Sequence, residues 1–166
     1  VTVKADGTWN AEVRSTSLYA VYRIPENIFM NYKYIVNPNT DLSLDIHRVE
    51  ASRHNGTVVT IYNQAELEYV KQLMTDYGIN SIFLGGDRTS NPEGGYSDKW
   101  FNGSGIIYKP NVLEETAGQL FMDNAGVWKI GLRTAIRASI YKVFLGTSQG
   151  TPLVQKYVLS DIMRTF

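Results

Sequence analysis

The residues able to do chemistry are few and scattered. Asp87, Glu93 and Asp98 fall within a dozen positions of a glycine-rich stretch. A hard cation takes about 6–8 oxygen ligands, so three carboxylates begin such a site. Solvated loop charges are the simpler reading and the preferred one. His47 and His54 are the only histidines and stand seven residues apart on one expected helix, hence on roughly one face. A metal pair on a helix uses i and i+4 with an intervening Glu, and that phrase is absent. Both imidazoles are therefore expected in solvent. Ser43, Ser52 and Asp45 make no nucleophile elbow, and the adjacent Glu114 and Glu115 point apart. Gly85-Gly86 and Gly94-Gly95 lack the Lys-Ser of a phosphate loop and read as turn chemistry. No catalytic residue, metal or cofactor is expected. What remains is the mixture of Arg, Tyr, Trp and Asn between positions 88 and 111, the composition of a recognition surface. Arg88, Tyr96, Lys99 and Tyr108 are expected to be exposed there, and with Asn111 they form the candidate ligand-binding set.

The elements that must position these residues follow from periodicity. Val1–Val13 alternates on both sides of Asp6-Gly7, a hairpin signal. Leu18–Ile24 is strand or helix until Pro25 stops it. Tyr32–Val36 is β-branched and aromatic and ends at the Asn37-Pro38-Asn39 turn. A first helix is predicted over about Leu42–Arg53, with Leu42, Ile46 and Val49 on one face and Asn55-Gly56 as its left-handed stop. Thr57–Ile61 reads as a short strand. The second helix opens with Asn63 and Glu66 as a capping box, lines Ala65, Tyr69, Val70, Leu73 and Met74 along a buried stripe, and ends at Gly78. Ile79–Leu84 is a central strand. Gly85–Asn111, with six glycines and two prolines, reads as a loop too long to be filler. Gln119–Met122, Gly126–Ile130 and Ile140–Leu145 are three further strands. The tail, Leu153–Phe166, is a docked helix or a link to a partner.

Bulk composition narrows the classes. A chain of 166 residues suits one domain with flanking segments. Lys+Arg and Asp+Glu balance at 16 each, which argues against a nucleic-acid partner. No apolar run reaches about 18 residues, so no membrane insertion is expected. The absence of cysteine excludes thiol nucleophiles, Cys-ligated zinc and a disulfide framework. A first residue other than Met reads as a piece of something longer.

The order of these words resembles the C-type lectin-like domain. The residues that carry the likeness are the helix Ser43–His54 with Asn55-Gly56, Thr57–Ile61, Asn63-Gln-Ala-Glu66, Ile82–Asp87 and Glu93-Gly-Gly-Tyr-Ser-Asp-Lys-Trp-Phe-Asn-Gly103. The resemblance covers roughly 32–145 and implies an α+β fold, two helices packed on small antiparallel sheets with a long Gly-rich loop. It leaves 1–31 as an N-terminal hairpin and lead-in and 146–166 as a tail. The phrase Ala5-Asp-Gly-Thr-Trp9 also resembles the closing strands of bacterial immunoglobulin-like repeats, so the hairpin belongs either to such a repeat or to the domain itself. The family's calcium and sugar site has two halves, which align here with Lys109-Pro110-Asn111 and Trp128-Lys129-Ile130. Its carboxylate and amide ligands are replaced by Lys109, Lys129 and Ile130, and two ammonium groups repel a cation. The resemblance makes Trp100 and Gly103 structural. It implies a non-enzymatic, extracellular recognition domain of a bacterial adhesin or phage particle, binding a host-surface glycan or protein without the bridging calcium. Multivalent display as a homo-oligomer or array suits such weak sites. The alternative is a structural module whose loop and tail pack against neighbouring virion or adhesin subunits.

Overall fold

The computed structural model describes residues 27–146, together with the backbone of 2–3 and 9–10. The expectations for Leu18–Ile24, for the tail from Leu153 and for the Asp6-Gly7 turn lie outside the described residues. Strands β1 (Thr2–Val3) and β2 (Trp9–Asn10) pair antiparallel, Val3 opposite Trp9. The remaining elements run β3 (Asn27–Phe29), β4 (Tyr32–Asn37), α1 (Leu44–Arg53), β5 (Thr57–Val58), α2 (Gln64–Asp76), β6 (Ser81–Ser90), β7 (Tyr96–Trp100), β8 (Gly118–Asp123), β9 (Trp128–Gly131) and β10 (Ala138–Phe144).

The fold class is α+β, as expected, but the strands form one eight-stranded sheet rather than small antiparallel ones. Its order is β3-β4-β10-β6-β8-β9, with β5 added to β10 and β7 added to β6. Strand β10 inserts between β4 and β6. It runs antiparallel to β4 and parallel to β6, Ala138 opposite Ile82, and that single parallel pairing makes the sheet mixed. Successive side chains on a strand point to opposite faces, and β6 uses this to build two cores. Ile82 and Leu84 join Leu67, Val70, Leu73 and Met74 of α2. Phe83 joins Leu44 and Ala51 of α1. The two helices therefore cover opposite faces.

Helix α1 shows a different face from the expected one. Leu42 precedes the helix, whose N-cap is Ser43, while Ile46 and Val49 are exposed and Leu44, His47 and Ala51 are buried. A hydrophobic count cannot find this stripe because its centre is a histidine. His47 is fully buried, a correction to its reading as a solvated residue; His54 is exposed. The His47 Nε2 lies 2.7 Å from the Arg137 carbonyl, which can only accept, so Nε2 carries the proton. Nδ1 then accepts from the Tyr141 hydroxyl at 2.8 Å. Asn55 takes the left-handed conformation (φ 56°) that ends the helix. At Gly56 a Cβ would meet the Lys142 carbonyl oxygen at 2.8 Å.

The capping of α2 is half as expected. Asn63 Oδ1 accepts from the Glu66 amide at 2.9 Å. The Glu66 carboxylate, however, accepts from the Tyr62 amide at 2.8 Å and from the Tyr34 hydroxyl at 2.7 Å, and it pairs with Lys142. Glu66 and Leu67 thus occupy the buried stripe where Ala65 was expected, and Ala65 is exposed. Both charged side chains of the pair are about as buried as the core, 3% exposed for Lys142 and 5% for Glu66. Burial pulls the Lys142 ammonium below its ordinary value despite the opposing pull of Glu66. Burial and Glu66 push the Tyr34 hydroxyl far up, which keeps it a donor.

Two outcomes follow from this core. Lys142→Met leaves the Glu66 carboxylate buried without a counter-charge and lowers unfolding free energy by about 3–5 kcal/mol in urea titration; Glu66→Gln with Lys142→Met recovers most of that loss. For His47, burial outweighs the hydrogen bond to Arg137 and holds the imidazole below its ordinary value. The unfolded chain binds the proton near pH 6.5, so below that pH the unfolded state holds more protons and stability falls. The urea midpoint therefore drops between pH 7.5 and pH 5, and His47→Gln flattens the slope.

Candidate functional site

The stretch expected to be loop from Gly85 begins as a β-hairpin. Strand β6 continues to Ser90, turns through Asn91–Gly95 and returns as β7, Arg88 opposite Asp98 and Asp87 opposite Lys99. Gly94 and Gly95 supply the positive φ angles of the turn, 100° and 78°. Gly85 and Gly86 are not in a turn: they lie within β6, where its register against β8 shifts between Phe83 and Asp87. At Gly85 a Cβ would stand 2.4 Å from the Val58 carbonyl oxygen. The carbonyls freed by the shift are taken by Gln119, whose Nε2 donates to Leu84 at 3.0 Å and Gly86 at 2.7 Å.

Hairpin alternation divides the candidate set. Arg88, Tyr96, Asp98 and Trp100 share one face, while Asp87 and Lys99 share the other. Arg88 is not an exposed side chain; it is 12% exposed. It clamps Asp98 through Nε at 2.7 Å and Nη2 at 3.0 Å, donates to the Glu114 carbonyl at 2.7 Å, and lies over the Tyr96 ring at 5.1 Å. The Tyr96 ring is part-exposed, and its hydroxyl donates to the Glu115 carbonyl at 2.7 Å. Tyr108 is half-buried, packed edge-on against Trp128, with its hydroxyl bonded to Gln64. Asn111 and Trp128 join backbone to side chain in both directions at 2.8 Å. Lys99 is exposed and stands apart from the other four.

The carboxylates do not converge either. Asp98 carries Arg88 and Lys109, Asp87 meets Arg133 at 3.1 Å, and Glu93 sits in the turn. Among the described residues no group of three His, Cys, Asp or Glu could hold a metal ion. Burial raises the Asp98 carboxyl, but the hydrogen bonds from Arg88 and Lys109 together bring it below its ordinary value. It is an anion at all physiological pH. The segments Lys109-Pro110-Asn111 and Trp128-Lys129-Ile130, expected from the resemblance to correspond to a cation site, meet through Asn111 and Trp128. Their ammonium groups are pinned away on carboxylates, Lys109 on Asp98 and Lys129 on Asp123, and the Ile130 amide donates to Glu114 at 3.0 Å. Both ring nitrogens of His47 are engaged in the core, so it offers no base to a substrate.

Asp98 as the hub of this cluster was missed in the sequence. The signal was present: Arg88 and Asp98 are equidistant from Glu93, beside the Gly94-Gly95 turn, as a hairpin with a glycine turn pairs them.

No protein-family model matches the chain, and no curated protein matches it in sequence. Solved structures match its shape. Human lithostathine aligns with a TM-score of 0.59 at 19% identity, over 76% of this chain and 94% of that one. The carbohydrate-recognition domain of the mouse scavenger receptor C-type lectin gives 0.58 at 17% identity, over 72% and 95%. The fold is C-type lectin-like. SPL-1 in complex with GlcNAc gives 0.56 at 17% identity, over 70% and 90%. In this lectin-like fold the long loop leaves the sheet through the β6–β7 hairpin, and the Asp98 cluster ties the loop's return to that hairpin.

Asp98→Asn should leave Arg88 and Lys109 facing each other unpaired. We expect a loss on the order of 2–3 kcal/mol in unfolding free energy, and faster amide hydrogen exchange across 101–117 than across β10.

Proposed function

We propose that this lectin-like domain is a non-enzymatic recognition module that captures a glycan or protein on the face of its long loop. The observation that carries the reading is the Asp98 cluster. Arg88 and Lys109 converge on one buried carboxylate, so the loop is held by the protein's own charges where the family uses a bridging calcium. A loop ordered before binding spends little affinity on being ordered. Tyr96 and Tyr108 border this face as aromatic platforms, with Arg88 and Asn111 positioning them. Lys99 serves the opposite side of the hairpin as a separate contact. Two neighbours of the fold, a carbohydrate-recognition domain and a GlcNAc complex, make glycans the first ligand class to test. Among the described residues no helix is long and apolar enough to cross a membrane; the reading places the domain outside the cell, on a bacterial surface or a virion, facing a host receptor.

A second reading, a structural module packed against other subunits, is favoured by the loop's apolar side chains. Ile107 is 97% exposed and Val112 94%, and large exposed apolar groups mark protein contacts.

Glycan-array and cell-surface binding of the purified domain, with calcium and again with chelator, tests both. The expected result is binding that survives chelator and falls about tenfold or more in Tyr96→Ala. Binding abolished by chelator overturns the calcium-independent reading. Absent glycan and cell binding, together with self-association lost in Ile107→Ser with Val112→Ser, supports the structural module instead.

A further inference from the structure

A pocket of about 480 Å³ opens away from the candidate binding residues; none of Arg88, Tyr96, Lys99, Tyr108 or Asn111 lines it. Its size falls within the ~300–1,000 Å³ range of small-molecule sites. It forms where the end of α1, strand β5, the outer half of β10 and the turn after β7 meet. Its lining holds two cations, Arg48 and Lys142, and no carboxylate.

The two cations differ. Lys142 is neutralised by Glu66, donates to the Thr60 carbonyl at 3.1 Å, and lies over the Tyr32 and Tyr62 rings at 4.2 and 4.6 Å. It is a floor. Arg48 has no carboxylate within ion-pair distance among the described residues; its guanidinium rests on the Phe101 ring at 4.6 Å. A guanidinium steadied by an aromatic face keeps its fork of donors free for a planar oxyanion. Around it stand the exposed rings of Tyr62 and Phe144 and the short amides of Asn55 and Asn102. Aromatic faces take the apolar face of a sugar ring, and the amides suit hydroxyl and acetamido groups.

We propose that this pocket binds a carboxylated sugar, its carboxylate on Arg48 and its ring against Phe101 and Tyr62. This goes beyond the loop-face reading and does not rest on it.

The test is an amide-shift titration of the full chain with methyl N-acetylneuraminate glycoside and with methyl glucuronide, which separate the two sources of a sugar carboxylate. The methyl ester of each and GlcNAc are the neutral controls. Expected are saturable shifts at Asn55, Gly56, Phe101 and Asn102, with the acid bound about tenfold or more tighter than its ester. Arg48→Gln removes that preference; as an exposed surface change it leaves the remaining spectrum unaltered. Asn102→Ala weakens acid and ester alike. Equal affinity for acid and ester, shifts confined to other residues, or no saturable shift in the folded protein each overturns the proposal. Loss of receptor capture in Tyr96→Ala with pocket binding intact separates failure of the loop reading from failure of this one.

Discussion

One buried ion pair, Glu66 with Lys142, joins distant segments of this chain. The two residues lie on α2 and β10, and through the Tyr34 hydroxyl, the Tyr62 amide and the Thr60 carbonyl they also hold β4 and the segment from β5 to α2. Charges this deep are tolerated only when every remaining donor and acceptor is satisfied. Here the carboxylate has three partners and the ammonium has a carbonyl and two aromatic faces. That requirement fixes where β10 can lie, since it must deliver Lys142 beneath Tyr62. Without disulfides, this network and the apolar packing around it do the work of closure.

A second charge cluster applies the same physics at the surface. Asp98 is 4% exposed and draws Arg88 from its own hairpin and Lys109 from the returning loop. The loop is long and glycine-rich, so holding it in one shape costs conformational entropy. Paired ions in a partly desolvated site offset that cost through interactions that bulk solvent screens poorly. The consequence is a loop tied back to its hairpin, with Ile107 and Val112 left projecting.

Much of the architecture was legible in the residues. Asn63 and Glu66 mark the start of α2, Asn55 and Gly56 the end of α1, and β-branched or aromatic runs mark β4, β6, β8 and β10. These are local signals, because caps and turns are satisfied within a few residues. The inner face of α1 was not legible. Its stripe passes through His47, whose fit depends on Tyr141 and Arg137 some ninety residues away. The β6–β7 hairpin was hidden by its glycines, two of which serve close backbone approach rather than turning.

The sequence by itself determined most of the element types and the absence of disulfides and of a charge imbalance. These are properties of composition and of near neighbours. Only the tertiary structure decided that Arg88 and Tyr96 share one face of the β6–β7 hairpin while Lys99 lies on the other, because strand alternation acts only once a register exists. It likewise decided that Arg88, Lys109 and Lys129 meet carboxylates while Arg48, among the described residues, meets the Phe101 ring instead. Whether a charge meets a partner depends on distances between segments far apart in the chain, and those are set by packing.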